Sequence, residues 1–274
     1  MFDNTCKFLA ENFSADFANW LLGEPISLTK IEPSELSLEP IRADSIIFLE
    51  STEIVLHLEF QTEPNANIPF RMADYYLRLY RKFSQKNIHQ TIIYLTPSNS
   101  EIVYQNQFIT PQLTHRFHII RLWEQPTETF QNSLGLMPLA VLTQTPDAVN
   151  TLSQIAQTIE TIPNPQTQSN LAAATAILSG LKLKPTIIQQ LLRSDLMKES
   201  VIYQEILHEG ELKGRLAGKA EGKAEGKAEG KAEGQIEATC QIARNMLNSG
   251  LALDLIAQLT GLSLTEIQEL QSCS

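Results

Sequence analysis

The chain has 274 residues, of which 43% are hydrophobic, and its formal net charge at pH 7 is −10. This length suits one large domain or a domain with appended segments. The acidic balance argues against broad electrostatic binding of nucleic acid, and three widely separated cysteines argue against a disulfide framework or a zinc site.

The sequence also argues against a membrane location. No apolar run approaches the length that spans a bilayer, and the N-terminal stretch MFDNTCKFLAENF lacks the basic region and apolar core of a secretory signal. We therefore expect a cytoplasmic protein without membrane contact.

Residues 2–22 predict a helix, because their apolar side chains recur at helical spacing. Asp3 is suited to cap this helix. Lys7 lies one turn later, where it can pair with Asp3 or Glu11 as an ordinary surface lysine. Residues 23–41 contain one glycine and three prolines, a composition that predicts a loop.

Residues 42–62 predict a β-hairpin with acidic side chains in unusual places. The second strand alternates, so that its residues fall on two faces. One face has Ile54, Leu56, Leu58 and Phe60, and the other has Val55, His57, Glu59 and Gln61. His57 is interpreted as structural, because a lone strand histidine is more often packed than catalytic.

The acidic residues of the hairpin indicate a cation site. A turn centred on residues 51–52 would place Asp44 opposite Glu59. Glu50 would likewise face Glu53. Opposed carboxylates repel unless a positive charge lies between them, and hard divalent cations such as Mg²⁺ prefer carboxylate oxygens.

The pattern Asp44 followed by Glu59-x-Gln61 resembles the PD-(D/E)XK nuclease signature. It is more closely similar to the Rpn-type recombination-promoting nucleases and transposase-like proteins, in which glutamine commonly replaces the final lysine. The similarity extends over most of the chain and includes Asp3-x-x-x-Lys7, Ile68-Pro-Phe-Arg71-Met-Ala-Asp-Tyr75-Tyr76, the segment 115–123, the glycine-rich tract and the C-terminal helices.

This resemblance implies an α/β fold, a restriction-endonuclease-like αβββαβ core with an all-helical C-terminal extension. It implies a metal-dependent DNA endonuclease that hydrolyses phosphodiester bonds and is linked to recombination or transposition. Asp44, Glu59 and Gln61 would be catalytic, and Asp44 and Glu59, with Asp3 from the first helix, would bind Mg²⁺ or Mn²⁺. The alternative is a catalytically degenerate nuclease fold that acts as a binding or oligomerising module, which the acidic balance and the missing lysine favour.

Residues 69–86 predict the most basic helix of the chain. Arg71 and Tyr75 of this helix, together with Lys7, are candidates for contacting phosphate. The helix is also a candidate for orienting Gln61. The plainer interpretation is an amphipathic helix with a solvated basic face.

Three more strands are predicted at residues 89–96, 101–109 and 115–123. His115 and His118 would lie on opposite faces of the last strand, so we do not expect them to share a metal. Beyond it, residues 134–142 are apolar enough to pack on the core. Helices are then predicted at residues 147–162, 169–181 and 185–210.

The sequence GKAE occurs four times from Gly218 to Glu233 and is closed by Gly234. A period of 4 drifts on a helix of 3.6 residues per turn, glycine is a poor helix former, and like charges meet at i,i+4. A stable helix there would need a partner, as in a coiled coil. We interpret the tract as a spacer, which divides the chain into a nuclease-like domain (1–146), a helical extension (147–217), the spacer (218–234) and a C-terminal module (235–274).

The C-terminal module predicts three short helices, and the sequence IAQLTGLS at residues 256–263 resembles the middle of a helix-turn-helix. From residue 235 onward, however, one basic residue faces four acidic ones, which is a poor composition for a DNA-reading helix. We therefore expect this module to contact protein, as a homo-oligomer or with another partner, while the first domain contacts DNA.

Overall fold

A computed structural model describes residues 2–31 and 46–272. It is a mixed α/β structure with a sheet core followed by helices, as the sequence predicted. Five of the seven described strands form one sheet. In their order across the sheet they are β1 (Thr29–Lys30), β2 (Ile46–Glu50), β3 (Ile54–Gln61), β4 (Asn87–Tyr94) and β7 (His118–Arg121). The pairs β1–β2 and β2–β3 are antiparallel, whereas β3–β4 and β4–β7 are parallel.

The register of the β2–β3 hairpin differs from the predicted one. Glu59 lies opposite Ile46, and Glu50 lies opposite Val55. The turn is centred one residue later than expected, because the Ser51 hydroxyl accepts hydrogen bonds from the backbone N–H groups of Glu53 and Ile54 at 3.4 and 3.2 Å. The predicted pairing of Glu50 with Glu53 is therefore wrong. Asp44 lies outside the described residues, and its predicted pairing partner Glu59 is taken by Ile46.

Strand β3 separates two layers of the core. Its apolar face packs into the largest hydrophobic cluster, which also includes the first two helices and the helices that follow the sheet. Its other face is covered by α3 (Ile68–Lys82), whose Tyr75 and Leu79 pack on Phe48 and Val55. The alternation predicted for β3 is confirmed, and both faces are buried.

The predicted N-terminal helix is two helices, α1 (Phe2–Asn12) and α2 (Ser14–Leu22). The break falls at Phe13, whose backbone leaves the helical conformation (φ −123°, ψ 41°). Gly135 approaches this break so closely that a Cβ there would lie 2.3 Å from the Phe13 Cβ. The backbone N–H of Gly135 also donates a 2.7 Å hydrogen bond to Asp16. The prediction of one helix over residues 2–22 is corrected by this tertiary contact.

The region after β4 is more broken than predicted. Residues Glu101–Tyr104 form a 3₁₀ helix in place of the start of a strand, and the Ser100 hydroxyl caps it. The predicted strand 115–123 is divided at buried Phe117 into β6 (Thr114–Arg116) and β7. β6 pairs with β5 (Gln107–Ile109) in a separate two-stranded sheet.

The helices after the sheet complete the same core. They are α4 (Thr127–Gln131), α5 (Ala148–Glu160), α6 (Pro165–Ser179), α7 (Pro185–Leu191) and α8 (Ser194–Met197), with a 3₁₀ helix at Met137–Leu142. Residues 136–142 are buried, which confirms the predicted packing of this apolar segment. The chain divides into two compact units, Met1–Leu207 and His208–Ser274, so the predicted boundary after residue 146 falls inside the first unit.

One continuous helix, α9 (Val201–Asn248), contains the whole GKAE tract. The predicted helix 185–210 is interrupted twice before α9 begins, at buried Leu192 and at Ser200. At the second break, the Asn170 side-chain oxygen accepts a hydrogen bond from the Ser200 hydroxyl and another, at 3.0 Å, from the backbone N–H of Val201. No atom lies within 4 Å of a Cβ built on the tract glycines, among the residues that the structure describes.

The end of α9 packs with α10 (Leu253–Thr260) and α11 (Leu264–Ser272) around Ala243, Ile256 and Ile267. A capping box begins α11, since Ser263 and Glu266 exchange hydrogen bonds there. Gly250 and Gly261 end the preceding helices with φ values of +76° and +75°. Within residues 2–31 and 46–272, no helix combines the length and apolar character needed to cross a bilayer.

Candidate active site

Glu59 lies near the end of β3, between Ile46 of β2 and Ile92 of β4. Its side chain points to the face that α3 covers and is fully buried. A carboxylate in such a position is costly unless charge or hydrogen bonds compensate for the lost water. Glu59 is therefore the unusual residue from which the site is built.

Two donors approach one oxygen of the Glu59 carboxylate. The Gln61 amide donates a 2.8 Å hydrogen bond to Oε1, and the Arg71 guanidinium forms an ion pair with the same atom. The other oxygen, Oε2, is buried and has no hydrogen-bond partner among the described residues. Such a buried acceptor without a partner is a place where a cation or a proton is stabilised.

Burial raises the pKa of Glu59 from its ordinary value of 4.5 to about 7. The positive charge and hydrogen bond of Arg71 oppose this effect, and the negative charge of Asp3 adds to it. The carboxyl therefore changes its protonation state near neutral pH. A proton and a metal ion would compete for it there.

Asp3 lies in the first turn of α1 and is close enough to raise the pKa of Glu59. Two of the three predicted metal ligands, Asp3 and Glu59, thus interact electrostatically. The third, Asp44, lies outside the described residues. Lys7 is half-buried in α1, and no hydrogen bond or ion pair joins it to Glu59 in the described part of the chain.

Of the two residues predicted on α3, Arg71 lies in the site and Tyr75 lies beside it. Arg71 occupies the first turn of the helix, where the Pro69 start sets its direction toward Glu59. Tyr75 is 7% exposed, and its ring packs edge-on against Phe48 and His57. The structure therefore gives Tyr75 a packing role.

Tyr94 of β4 is a site neighbour that the sequence did not indicate. It lies opposite Gln61 in the parallel register and is almost fully buried. Burial, and then the charge of Glu59, raise the pKa of its phenol to about 12, so the hydroxyl stays protonated. Tyr94 could have been identified from the sequence only if the pairing of β3 with β4 had been known.

A buried polar chain runs beside the site from His57 to His115. The Gln90 amide nitrogen lies 2.8 Å from His57 Nδ1 and donates a 2.9 Å hydrogen bond to the Met72 carbonyl, while its oxygen lies 2.6 Å from His115 Nε2. Because His57 Nδ1 accepts from the amide, the His57 imidazole is neutral. His115 donates to the amide oxygen, and burial lowers the pKa of its imidazole. Burial, Arg71 and His115 together lower the pKa of His57 to about 3.

The prediction that His57 is structural agrees with this chain, but the sequence did not single out Gln90. A polar residue at position 90, on the face shared with Ile92 and Tyr94, was the available signal. Its partner was not predictable, because His57 and Gln90 meet only through the β3–β4 register.

The described side chains include no group of three histidine, cysteine or acidic residues able to hold a metal ion. Glu59 nevertheless has the chemistry that a hard divalent cation requires, a buried carboxylate with one unpartnered oxygen and a second carboxylate nearby. The donor set in the described residues fits part of a Mg²⁺ site, and Asp44 is the predicted remainder.

The protein is thus a mixed α/β protein in which a buried glutamate and a glutamine at the end of a central strand meet an arginine from α3. Residues 237–272 match the family model described as Rpn/YhgA-like nuclease family, C-terminal HTH domain. This match confirms the resemblance to the Rpn-like group, and the C-terminal module is similar to the helix-turn-helix domain of that family. No curated protein and no solved structure gives a significant match.

Proposed function

We propose that this protein is a metal-dependent DNA endonuclease with a PD-(D/E)XK core, acting in recombination or transposition. The observation that carries the proposal is Glu59, a fully buried carboxylate held by Gln61 and Arg71 with one oxygen left unpartnered among the described residues. A packed structural core has little use for such a group. The C-terminal match to a nuclease family supports the same function.

In this proposal Asp44, Glu59 and Asp3 hold one or more Mg²⁺ or Mn²⁺ ions. A bound divalent cation polarises the scissile phosphate and lowers the pKa of an attacking water. Hydrolysis forms a bond between phosphorus and the water oxygen and breaks one phosphorus–oxygen ester bond, and the leaving oxygen takes up a proton. Gln61 orients the water or the phosphate through its amide.

Arg71 supplies the positive charge that Gln61 lacks. The guanidinium enters from α3 and reaches the same carboxylate oxygen of Glu59 that Gln61 contacts, so it brings a positive charge next to Gln61. Its fixed fork of donors is suited to a phosphate oxygen once a cation neutralises Glu59. Lys7, the other candidate, makes no such contact in the described part of the chain.

The test is cleavage of plasmid DNA by the purified full-length protein with Mg²⁺, with Mn²⁺ or with EDTA. We expect metal-dependent cleavage that Asp44→Ala and Glu59→Ala abolish and that Arg71→Gln lowers by about a hundredfold or more. Glu63→Ala, an exposed acidic residue just beyond β3, is the matched control and should cleave as the parent does. Full activity of Glu59→Ala would refute the assignment.

The alternative, a degenerate nuclease fold used as a binding or oligomerising module, is favoured by one observation. Arg71 already forms an ion pair with Glu59, and a positively charged side chain in this place can take over the role of a metal ion in compensating the carboxylate. Isothermal titration with Mn²⁺ separates the two functions. A protein without measurable divalent-ion affinity would be the module.

The C-terminal module is the proposed site of protein contact. Leu255, Leu259 and Leu264 are at least 44% exposed on α10 and α11, and the segment is acidic. Apolar exposed residues without basic ones fit a protein partner, including a second copy of the chain, better than they fit DNA.

A further inference from the structure

The charge of this acidic chain is unevenly distributed. Residues 68–86, which comprise α3 and the turn after it, contain five of the 21 basic residues and one of the 31 acidic residues. This segment therefore has a formal charge of +4, and the rest of the chain has −14. Residues 102–123, which contain the β5–β6 hairpin, have two arginines and no acidic residue.

Large aromatic and aliphatic side chains are exposed on the same segment. Phe70 is 60% exposed, Leu77 is 54% exposed and Tyr80 is 50% exposed. The inner face of α3 is formed by other residues, which are buried against the sheet. The exposed side chains are therefore not needed for packing the helix on the core.

Aromatic contacts join α3 to the β5–β6 hairpin into one surface. The Tyr76 and Tyr80 rings stack with centroids 6.1 Å apart and an interplanar angle of 14°. Tyr76 also lies 4.8 Å from the His115 ring. Phe70 meets Phe108 of β5 at 5.7 Å. We call this surface, α3 with Lys86 and the β5–β6 hairpin, the basic aromatic face.

A cleft of about 560 Å³ opens at the far end of this face. Tyr76, Tyr80, Lys86 and His89 line it, together with neighbouring polar residues. Arg81 and Lys82 are exposed on the adjoining turn of α3. Lys86 is ion-paired with Glu50, so the positive charge at the cleft comes from Arg81 and Lys82 beside it. The cleft thus offers stacked rings next to basic side chains.

We propose that the basic aromatic face binds a single strand of DNA, with unpaired bases stacked on Tyr80 and Phe70 and the phosphates held by Arg81 and Lys82. Stacking on exposed rings combined with a positive track is how proteins hold single strands without reading sequence. A duplex keeps its bases stacked inside, so it could use the charges of this face but not its rings. The charge of the face is complementary to the strand.

This inference rests on the proposed function and deepens it by naming the substrate class. Arg71 of the candidate site is in the first turn of α3, the helix that forms the centre of the face. A strand bound along α3 would therefore lead toward Glu59. The protein would act on DNA that is single-stranded or locally opened.

The test measures binding by fluorescence anisotropy with the full-length protein in EDTA. The probes are a 20-nucleotide thymidine strand, the matching uridine RNA strand and a 20-base-pair duplex. We expect the thymidine strand to bind at least tenfold tighter than the duplex. The RNA strand should bind within about threefold of the DNA strand, because neither stacking nor phosphate contact reads the ribose hydroxyl.

Tyr80→Ala should weaken binding of the thymidine strand about tenfold, and Tyr80→Phe should restore it, because the ring and not the hydroxyl is used. Tyr203→Ala, the same change at a 37% exposed tyrosine on α9, is the matched control and should have no effect. Arg81→Glu should lower the slope of log affinity against log salt by about 0.7, whereas Lys184→Glu should not. Thermal unfolding of each variant verifies that the fold is intact.

Equal binding of duplex and single strand, or equal loss in Tyr80→Ala and Tyr203→Ala, would overturn the inference. An RNA strand bound more than tenfold tighter than DNA would also overturn it. Plasmid cleavage without single-strand binding would refute this inference but not the proposed nuclease function. Single-strand binding without any cleavage would refute the proposed nuclease function but not the binding by the basic aromatic face.

Discussion

At the scale of single residues, Glu59 is the most informative position in the protein. Its carboxyl is buried, and burial raises its pKa to about 7 despite the ion pair with Arg71. The folded state therefore binds a proton more tightly than the unfolded state does. This difference makes stability depend on pH in a direction opposite to that of most carboxylates.

The first prediction concerns this pH dependence in the absence of metal. Since the folded pKa is raised, the stabilisation is complete below the ordinary pKa of 4.5 and is lost as the pH rises through about 7. Glu59→Gln removes this titration. The free energy of unfolding of the variant, relative to the parent, should increase by roughly 2 to 3 kcal/mol between pH 5 and pH 8.

Urea unfolding in EDTA at the two pH values measures this difference. Glu63→Gln, at an exposed position, controls for the general loss of a carboxylate and should show no such change. A constant difference between Glu59→Gln and the parent would mean that Glu59 is ionised throughout, and that Arg71 outweighs burial.

The sequence predicted much of the site at this scale because β3 alternates strictly. Glu59 and Gln61 were correctly placed on one face, and Arg71, a candidate on α3, lies against Glu59. What the sequence could not provide was pairing. The hairpin turn was misplaced by the Ser51 side chain, and the contact between His57 and Gln90 depends on the parallel register of two strands separated by α3.

At the scale of elements, the His57–Gln90–His115 chain holds four of them together. Gln90 on β4 contacts His57 on β3, the Met72 carbonyl on α3 and His115 on β6. Each bond is buried or partly buried, so each unmade bond would leave a desolvated polar group. The chain therefore fixes the position of the β5–β6 hairpin against the sheet.

The second prediction is that Gln90→Ala destabilises the protein by about 3 kcal/mol or more, since it leaves several buried polar groups without partners and opens a cavity. Thermal or urea unfolding measures the loss. Gln85→Ala, an exposed glutamine on the turn before β4, is the matched control and should change stability by less than about 0.5 kcal/mol. Equal effects of the two substitutions would show that the chain contributes nothing.

The third prediction concerns the glycines of the GKAE tract. A Cβ on any of them meets no atom within 4 Å among the described residues, and glycine is about 1 kcal/mol worse than alanine in a helix. Replacing Gly218, Gly222, Gly226, Gly230 and Gly234 by alanine should therefore raise helix content and the melting temperature of α9, as followed by circular dichroism.

Gly261→Ala is the contrasting control for the tract substitutions. Its φ of +75° is unfavourable for alanine, so this change should lower the stability of the C-terminal module by about 1 to 2 kcal/mol. A loss of helix in the five-alanine variant would indicate that the glycines are needed for close approach of another chain.

The start of α3 was predicted to within one residue and its end four residues too late. Helix boundaries that depend on distant contacts were not predicted. The interruption at Phe13 depends on Gly135, and the start of α9 depends on Asn170. Neither partner is adjacent in sequence, so propensity alone favoured longer helices. The tract itself is helical although its composition predicts a marginal helix.

At the scale of the whole molecule, the chain consists of two compact units with separate hydrophobic clusters. The GKAE tract precedes the smaller cluster, and its described side chains are exposed. Helix that is not covered by other elements opens with little cost in free energy. The tract should therefore be the first place where a protease acts.

The fourth prediction is that limited trypsin digestion cuts first among Lys219, Lys223, Lys227 and Lys231. The larger fragment should retain the unfolding transition of the intact protein, because the first unit has its own core. Replacing the four lysines by glutamine should remove these cuts and leave that transition unchanged. Initial cleavage within residues 2–31 or 46–207 would contradict the division into units.

The packing of α1 on α6 has a consequence for when the site comes into being. α1 carries Asp3, yet its buried face is covered in part by a helix from much later in the chain. Long-range contacts of this kind form late, after local hairpins and crossovers. On the ribosome, β2, β3 and α3 can assemble long before α6 emerges. We therefore expect a nascent chain to hold Glu59 without a docked Asp3, so that the proposed nuclease activity would begin only after the core has been synthesised.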